Sequence, residues 1–170
     1  GRKLTDIRKE VDGLIRSRVI VWLRTREEVR AERAMFDVAR RLRMEPMVWR
    51  MTVGITDALG TSVSVITDPR ALLRAIPTRD GRELLVLEDL ANVTQNDPTS
   101  RRLLRDLVRQ LPKLALENSK GIVIVDDSPL PDYLRGLAYE LDFPLPDKEV
   151  LDEVVETIAI PVAHDGHVTL

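Results

Sequence analysis

The sequence predicts an α/β fold, a three-layer sandwich in which helices cover both faces of a parallel sheet. Three observations predict it. β-prone apolar runs alternate with segments of helical period along the whole chain. Most of those runs, such as Val19-Ile20-Val21-Trp22-Leu23 and Ile122-Val123-Ile124-Val125, are apolar throughout, as strands buried on both faces are. Two Asp-Pro pairs, Asp68-Pro69 and Asp97-Pro98, supply an N-cap acceptor followed by proline at the first helical position.

The elements follow in order. Across residues 3–17, Leu4, Ile7, Val11, Leu14 and Ile15 form one helical stripe, which Gly13 weakens without cancelling. The first strand is the run from 19 to 23. A charged helix comes next, with Val29, Met35, Phe36, Ala39 and Leu42 turned inward and Glu32 interrupting the stripe. Its polar face carries Arg26, Glu27, Arg30, Arg33, Arg40, Arg41 and Arg43. Pro46 is expected to end that helix, and Met47-Val48-Trp49-Arg50-Met51-Thr52 is the second strand.

Residues 53–68, with Gly54, Gly60 and several Ser and Thr, read as a loop with room for a short hairpin. The helix capped by Asp68 carries Ala71, Leu72, Leu73 and Ile76 and stops at Pro77. After a turn at Asp80-Gly81, the third strand is Leu84-Leu85-Val86-Leu87. The helix opened by Asp97 is expected to be the longest, burying Leu103, Leu104, Leu107, Val108 and Leu111 and interrupted by Pro112. Gly121 precedes the fourth strand. A Pro-rich turn and a short helix over 133–137 lead to the fifth, Tyr139-Glu140-Leu141-Asp142-Phe143. Asp147 is placed to cap a last helix to about residue 157, and 160–170 reads as a hairpin turning at Asp165-Gly166.

A chain of 170 residues, 44% apolar and 32% charged, is long and apolar enough for one core under a solvated surface. Its organisation is then an N-terminal helix (1–17), the α/β domain (18–158) and a tail or hairpin (159–170). With 26 basic and 28 acidic side chains the net charge is -2, so no basic bulk points to nucleic acid. Cysteine is absent, which removes disulfides, thiol catalysis and iron–sulfur clusters. No apolar run approaches the ~18 residues of a membrane span, and no signal peptide opens the chain. The expectation is a soluble, cytoplasmic domain. Gly1 in the place of a starting Met is read as the mark of a piece cut from a longer protein.

Ligands of open α/β sheets bind beyond the carboxyl ends of the strands, so those loops come first. After the first strand stands Arg24-Thr25-Arg26-Glu27-Glu28, without the glycines or the Lys-Ser/Thr pair of a phosphate-cradling GxxxxGK[ST] loop. Arg24 and Arg26 are the candidate phosphate contacts there, beside a helix N-terminus; the competing reading is a solvated helix face. Glu88-Asp89 follows the third strand and Asp126-Asp127-Ser128 the fourth. Should these strands be neighbours, four carboxylates meet at one edge and could bind a hard cation; otherwise they cap the following turns. His164 and His167 flank the tail turn and offer too few ligands for a metal. No catalytic Ser–His–Asp set is arguable, and Trp22 and Trp49 read as core.

Taken in order, these segments resemble the AAA-type ATPases known as hypothetical open-reading-frame proteins of cyanobacteria, other bacteria and plastids. In that family a degenerate ATPase-like domain precedes an intact AAA module. The resemblance rests on residues 19–28 running into Arg30-Ala31-Glu32-Arg33-Ala34, on Leu84-Leu85-Val86-Leu87-Glu88-Asp89-Leu90, and on Gly121-Ile122-Val123-Ile124-Val125. Its most specific segment is Leu141-Asp142-Phe143-Pro144-Leu145-Pro146-Asp147 with the helix from Lys148. It spans roughly residues 5–157.

What the resemblance implies is a five-stranded parallel sheet of the P-loop ATPase (AAA) type, in the order 5-1-4-3-2. Residues 18–158 become its degenerate ATPase-like domain. Glu88-Asp89 falls at a Walker B-like edge in reversed order, Asp126 and Asp127 at a sensor-like strand end, and no phosphate-binding residue is supplied. No cofactor is expected for this chain, with ATP and Mg²⁺ belonging to a linked AAA module. That module, in the same parent chain, is the implied partner, in an oligomeric setting and away from membranes. The leading reading is a non-catalytic regulatory, recruitment or assembly domain. The alternative is a Mg²⁺-dependent nucleotide-binding or phosphoryl-transfer domain using Glu88, Asp89, Asp126 and Asp127. An Arg-rich single-strand nucleic-acid surface ranks last, for want of interleaved aromatics.

Overall fold

The computed structural model describes residues 3–145. Its first helix, α1 (Leu4–Arg16), buries the Ile7, Val11 and Ile15 stripe. It leads into β1 (Ile20–Arg24), then α2 (Glu28–Leu42), β2 (Glu45–Arg50), β3 (Gly54–Asp57) and β4 (Ser62–Ser64). Next come α3 (Pro69–Ala75), β5 (Glu83–Leu87), α4 (Leu90–Thr94), α5 (Pro98–Gln110), β6 (Lys120–Asp126) and β7 (Ala138–Asp142). Asp68 and Asp97 cap α3 and α5 as expected, accepting from the backbone N–H of Ala71 and Thr99. Among the described residues no helix is long and apolar enough to cross a membrane.

One sheet of seven strands runs β4-β3-β2-β5-β6-β1-β7. The five strands from β2 to β7 in that order are mutually parallel, while β3 and β4 join antiparallel at the β2 edge. The expected five-stranded parallel sheet is therefore corrected to a mixed sheet of seven strands among the described residues, while the order 5-1-4-3-2 survives in its parallel part as β7-β1-β6-β5-β2. The difference is the segment after β2, which folds back as a hairpin. Gly54, at a φ of 83°, permits the reversal that a residue with a Cβ would resist.

Helices cover both faces. Val21, Leu23, Val48, Leu84, Val86, Val123 and Val125 pack with α1 and α2. The alternate residues Ile20, Trp22, Trp49, Leu85, Leu87, Ile122 and Ile124 pack with α3, α4 and α5. Two-faced burial is why these strands read as unbroken apolar runs. Both tryptophans are core, with their indole N–H groups donating to the carbonyls of Ser128 and Ile66.

Several local expectations are corrected. The chain leaves α2 through Arg43 in the left-handed conformation, and Pro46 lies inside β2 instead of ending the helix. Proline is tolerated near a strand's start, where one fewer ladder donor is needed. Val29 is 64% exposed, because the buried stripe of α2 is Ala31, Ala34, Met35, Val38, Ala39 and Leu42, and Val29 falls off it. The longest described helix is α2 at 15 residues, against 13 for α5. Pro112 stands in a 3-10 turn that follows α5, and the short helix near Tyr133 is a 3-10 turn over Asp132–Leu134. The helix capped by Asp147, the tail hairpin and both histidines lie outside the described residues.

Candidate functional site

The register of the parallel strands decides which loop residues meet. Arg24 at the end of β1 pairs with Asp126 of β6, and Leu87 of β5 stands opposite Ile124 of β6. The three loops after β1, β5 and β6 therefore emerge side by side. Thr25, Arg26, Glu28, Glu88, Asp89, Asp126 and Asp127 line a shared hollow of about 200 Å³. All four sequence-predicted acids are thus brought together.

Three of them are already engaged. Asp89 accepts from the backbone N–H of Met51 at 3.0 Å, tying the β5 loop to the end of β2. Asp126 accepts from Ser128, from its N–H at 2.9 Å and from its hydroxyl, the closed turn that an Asp side chain makes with the residue two on. Asp127 receives both candidate phosphate contacts. Arg24 Nε donates to its carbonyl at 3.3 Å, and Arg26 Nε lies 3.5 Å from its Oδ2. The Thr25 N–H donates to the Asp126 carbonyl at 2.8 Å. These contacts lace the β1 loop to the β6 loop. Among the described residues no set of three or more Asp, Glu or His side chains is arranged to hold a metal ion.

Glu88 differs from the other three. It is 5% exposed, and its nearest cation, Arg50 Nε, is 3.9 Å away. Glu28 and Glu32, on one face of α2, act on it as well. Burial, then Glu32, then Glu28 push its carboxyl up to about 10. With all three groups ionised no hydrogen bond can join them, and Glu88 Oε1 is buried without a partner. With a proton on Glu88, that carboxyl becomes a donor and its neighbours become acceptors. The arrangement gathers three carboxyl groups at the end of β5, where burial and its acidic neighbours favour the protonated form of Glu88.

Sequence reasoning did not find this approach of Glu28 and Glu32. Its signal was Glu32 breaking the apolar stripe of α2, with Glu28 one turn earlier on the same face. A second hollow, about 630 Å³, was also missed; Trp22, Asn92, Arg101, Ser128 and Tyr133 line it beside the acids. Arg101 stacks over the Tyr133 ring at 4.4 Å from its centroid, and the Tyr133 hydroxyl meets Thr94 Oγ1 at 2.7 Å. On the β7 side, Arg30 stacks over Phe143 at 4.7 Å and donates to the Pro144 carbonyl at 2.5 Å. The Phe-Pro-Leu segment is thereby fastened to the first turn of α2.

In comparisons with known proteins, a family model described as "SpoVK-like AAA ATPase, N-terminal domain" matches residues 7–143. No curated protein matches the chain.

Proposed function

Because the chain belongs to the family of SpoVK-like AAA ATPase N-terminal domains, we propose that it is a non-catalytic, ATPase-like domain that regulates, recruits for or helps assemble a linked AAA module. In this reading the chain itself neither binds ATP tightly nor hydrolyses it. The observation that carries it is the meeting of Glu28, Glu32 and Glu88 beside the loop after β1. A working ATPase presents glycine N–H groups, a lysine and a hydroxyl there. Here the loop from Arg24 to Glu28 has no glycine, and its two arginines are turned to Asp127. A polyphosphate would face carboxyl groups where it needs donors. The acids after β5 and β6 serve in this reading as ties between loops, and any ATP and Mg²⁺ chemistry belongs to the linked module, in the cytoplasm.

Isothermal titration of the chain with ATP and Mg²⁺, alongside phosphate release, tests the proposal. The expected result is no saturable heat and no release above buffer. Micromolar affinity abolished by Asp89→Ala would overturn it in favour of a Mg²⁺-dependent nucleotide site. Affinity insensitive to that change but lost with Arg24→Ala would overturn it in favour of a phosphate site at the end of β1.

A further inference from the structure

At the opposite end of the sheet, five arginines from separate segments converge on one hollow of about 430 Å³. Arg16 and Arg18 come from the end of α1, Arg41 and Arg43 from the end of α2, and Arg82 from the turn before β5. No carboxylate lines this hollow. Elsewhere the arginines of this chain are commonly matched with acids, as Arg8 is with Asp37, Arg30 with Glu27 and Arg70 with Asp97.

Within the hollow, and among the described residues, only Arg16 has such a match, Asp12. Arg82 directs its donors to neutral acceptors, the carbonyls of Leu42 at 2.9 Å, Leu116 at 3.0 Å and Arg43 at 3.4 Å and the hydroxyl of Ser119 at 2.8 Å. Its guanidinium is fixed in place while its charge stays uncompensated. Arg18 donates to the Leu111 carbonyl at 2.8 Å. The side chains of Arg41 and Arg43 have no hydrogen-bond or ion-pair partner among the described residues. Cations near a helix C-terminus complement its dipole, which accounts for Arg16 and Arg41 one at a time. It does not account for Arg18 and Arg82 joining them, since like charges gathered in one concavity repel.

The rest of the lining separates one class of anion from another. Ile15, Leu42 and Met44 form a buried apolar floor, and Leu116 is 68% exposed at the rim. No aromatic side chain lines the hollow for a base to stack on. An inorganic anion or a nucleic-acid backbone would leave the apolar rim unused. An acidic peptide uses both, because carboxylates fit the planar guanidinium fork and an apolar side chain covers the floor. We infer that this hollow docks an acidic peptide segment of a partner protein, with an apolar side chain against Leu116 and Met44 and carboxylates on Arg41 and Arg43, beside the fixed positive charge of Arg82. The inference rests on the recruitment part of the function proposed above and on nothing about nucleotides.

The test titrates the chain into a labelled pentapeptide of four glutamates around a central leucine. The control peptide has glutamines in place of the glutamates, and inorganic pyrophosphate and a single-stranded oligothymidylate serve as competitors. Saturable binding to the acidic peptide alone is expected, weakened by high salt and by roughly tenfold with Arg41→Glu. Leu116→Glu should weaken it similarly without removing an arginine. Both positions are exposed, and retained amide dispersion by NMR shows that each variant folds. Absence of binding, or binding indifferent to both variants, overturns the inference. Equal competition by pyrophosphate or the oligonucleotide overturns it in favour of a phosphate site. The ATP titration is a separate measurement, so either result leaves the nucleotide reading standing or falling by itself.

Discussion

Arg79 grips the buried carboxylate of Glu83 at two points, Nε to Oε1 at 2.9 Å and its terminal nitrogen to Oε2 at 2.7 Å. Lys120, fully buried at the start of β6, lies 3.7 Å from the same carboxylate. Its ammonium also donates to the carbonyls of Arg79, Gly81 and Asn118. Burial holds the Lys120 amine below the ordinary lysine range, and Glu83 opposes that drop. The three charges pin the starts of two adjacent central strands.

Removing one member of such a buried set leaves the others uncompensated, which costs more than the set contributed. Arg79→Leu is expected to lower the unfolding free energy by roughly 3 kcal/mol in urea denaturation. A loss under about 1 kcal/mol would mean that Lys120 alone suffices to neutralise Glu83.

Glu88 predicts a pH dependence of stability. Its folded carboxyl holds a proton that the unfolded chain releases near the ordinary 4.5. Unfolding therefore releases a proton, and stability falls as pH rises from about 4.5 to about 10. Below that window both states are protonated, and above it both are ionised. Glu88→Gln keeps the shape without the acid, so it is expected to flatten this slope. At pH 8 the gain is on the order of 1–3 kcal/mol, the cost of a buried group short of partners. Denaturation midpoints of both proteins at pH 4.5 and pH 8 check it; an equal gain at both would reject a protonated Glu88 as the cause.

Asp97 predicts the opposite slope. The Arg70 hydrogen bond, then that of Ser100, holds its carboxyl below the ordinary carboxylate range. Its contribution is present above the unfolded value of 3.8 and is lost as pH falls below it. Asp97→Ala is thus expected to be less stable than the parent at pH 6, with the gap closing on acidification. Thermal melts at pH 6 and pH 2.5 measure the gap; one unchanged between them would contradict this.

The β3–β4 hairpin depends on Gly54. A Cβ there would collide with the Ser64 carbonyl, on top of the strain of a left-handed φ. Gly60 has a similar φ of 81° but open space around it. Gly60→Ala is expected to cost about 1–2 kcal/mol and Gly54→Ala more. Amide exchange should show β3 and β4 opening selectively in Gly54→Ala. Equal losses in the two variants would mean the collision relaxes freely.

The central strands and the larger helices were legible because burial on both faces, or on one stripe, writes itself directly into residue order. The hairpin was legible only as a loop with room for one, not as two further strands of the sheet, since β4 is three residues of Ser, Val and Ser with little burial. Helix α4 has five residues directly after Glu88-Asp89, too few to display a period. At the site, the acids of the β5 and β6 loops were readable because a strand's end fixes where its loop emerges. Glu28 and Glu32 required knowing how α2 is rotated against the sheet, which a sequence stripe states only coarsely. Arg82 left no signal at all. Its acceptors lie at residues 42, 43, 116 and 119, joined only when the strands assemble.

The position of β1 has a consequence for the birth of the protein. Among the seven described strands this one is made first, yet its strand partners, β6 and β7, are the last two of the seven. Roughly a hundred residues separate it from β6, so at ~5–20 residues per second it waits about 5–20 s for its first partner. Through that interval Ile20-Val21-Trp22-Leu23 has nothing in the sheet to pair with, although it becomes nearly the most enclosed segment of the finished fold. A ribosome stalled anywhere short of β6 therefore carries a sticky, half-built chain, and it is during synthesis that this domain is most exposed to chaperones and to aggregation.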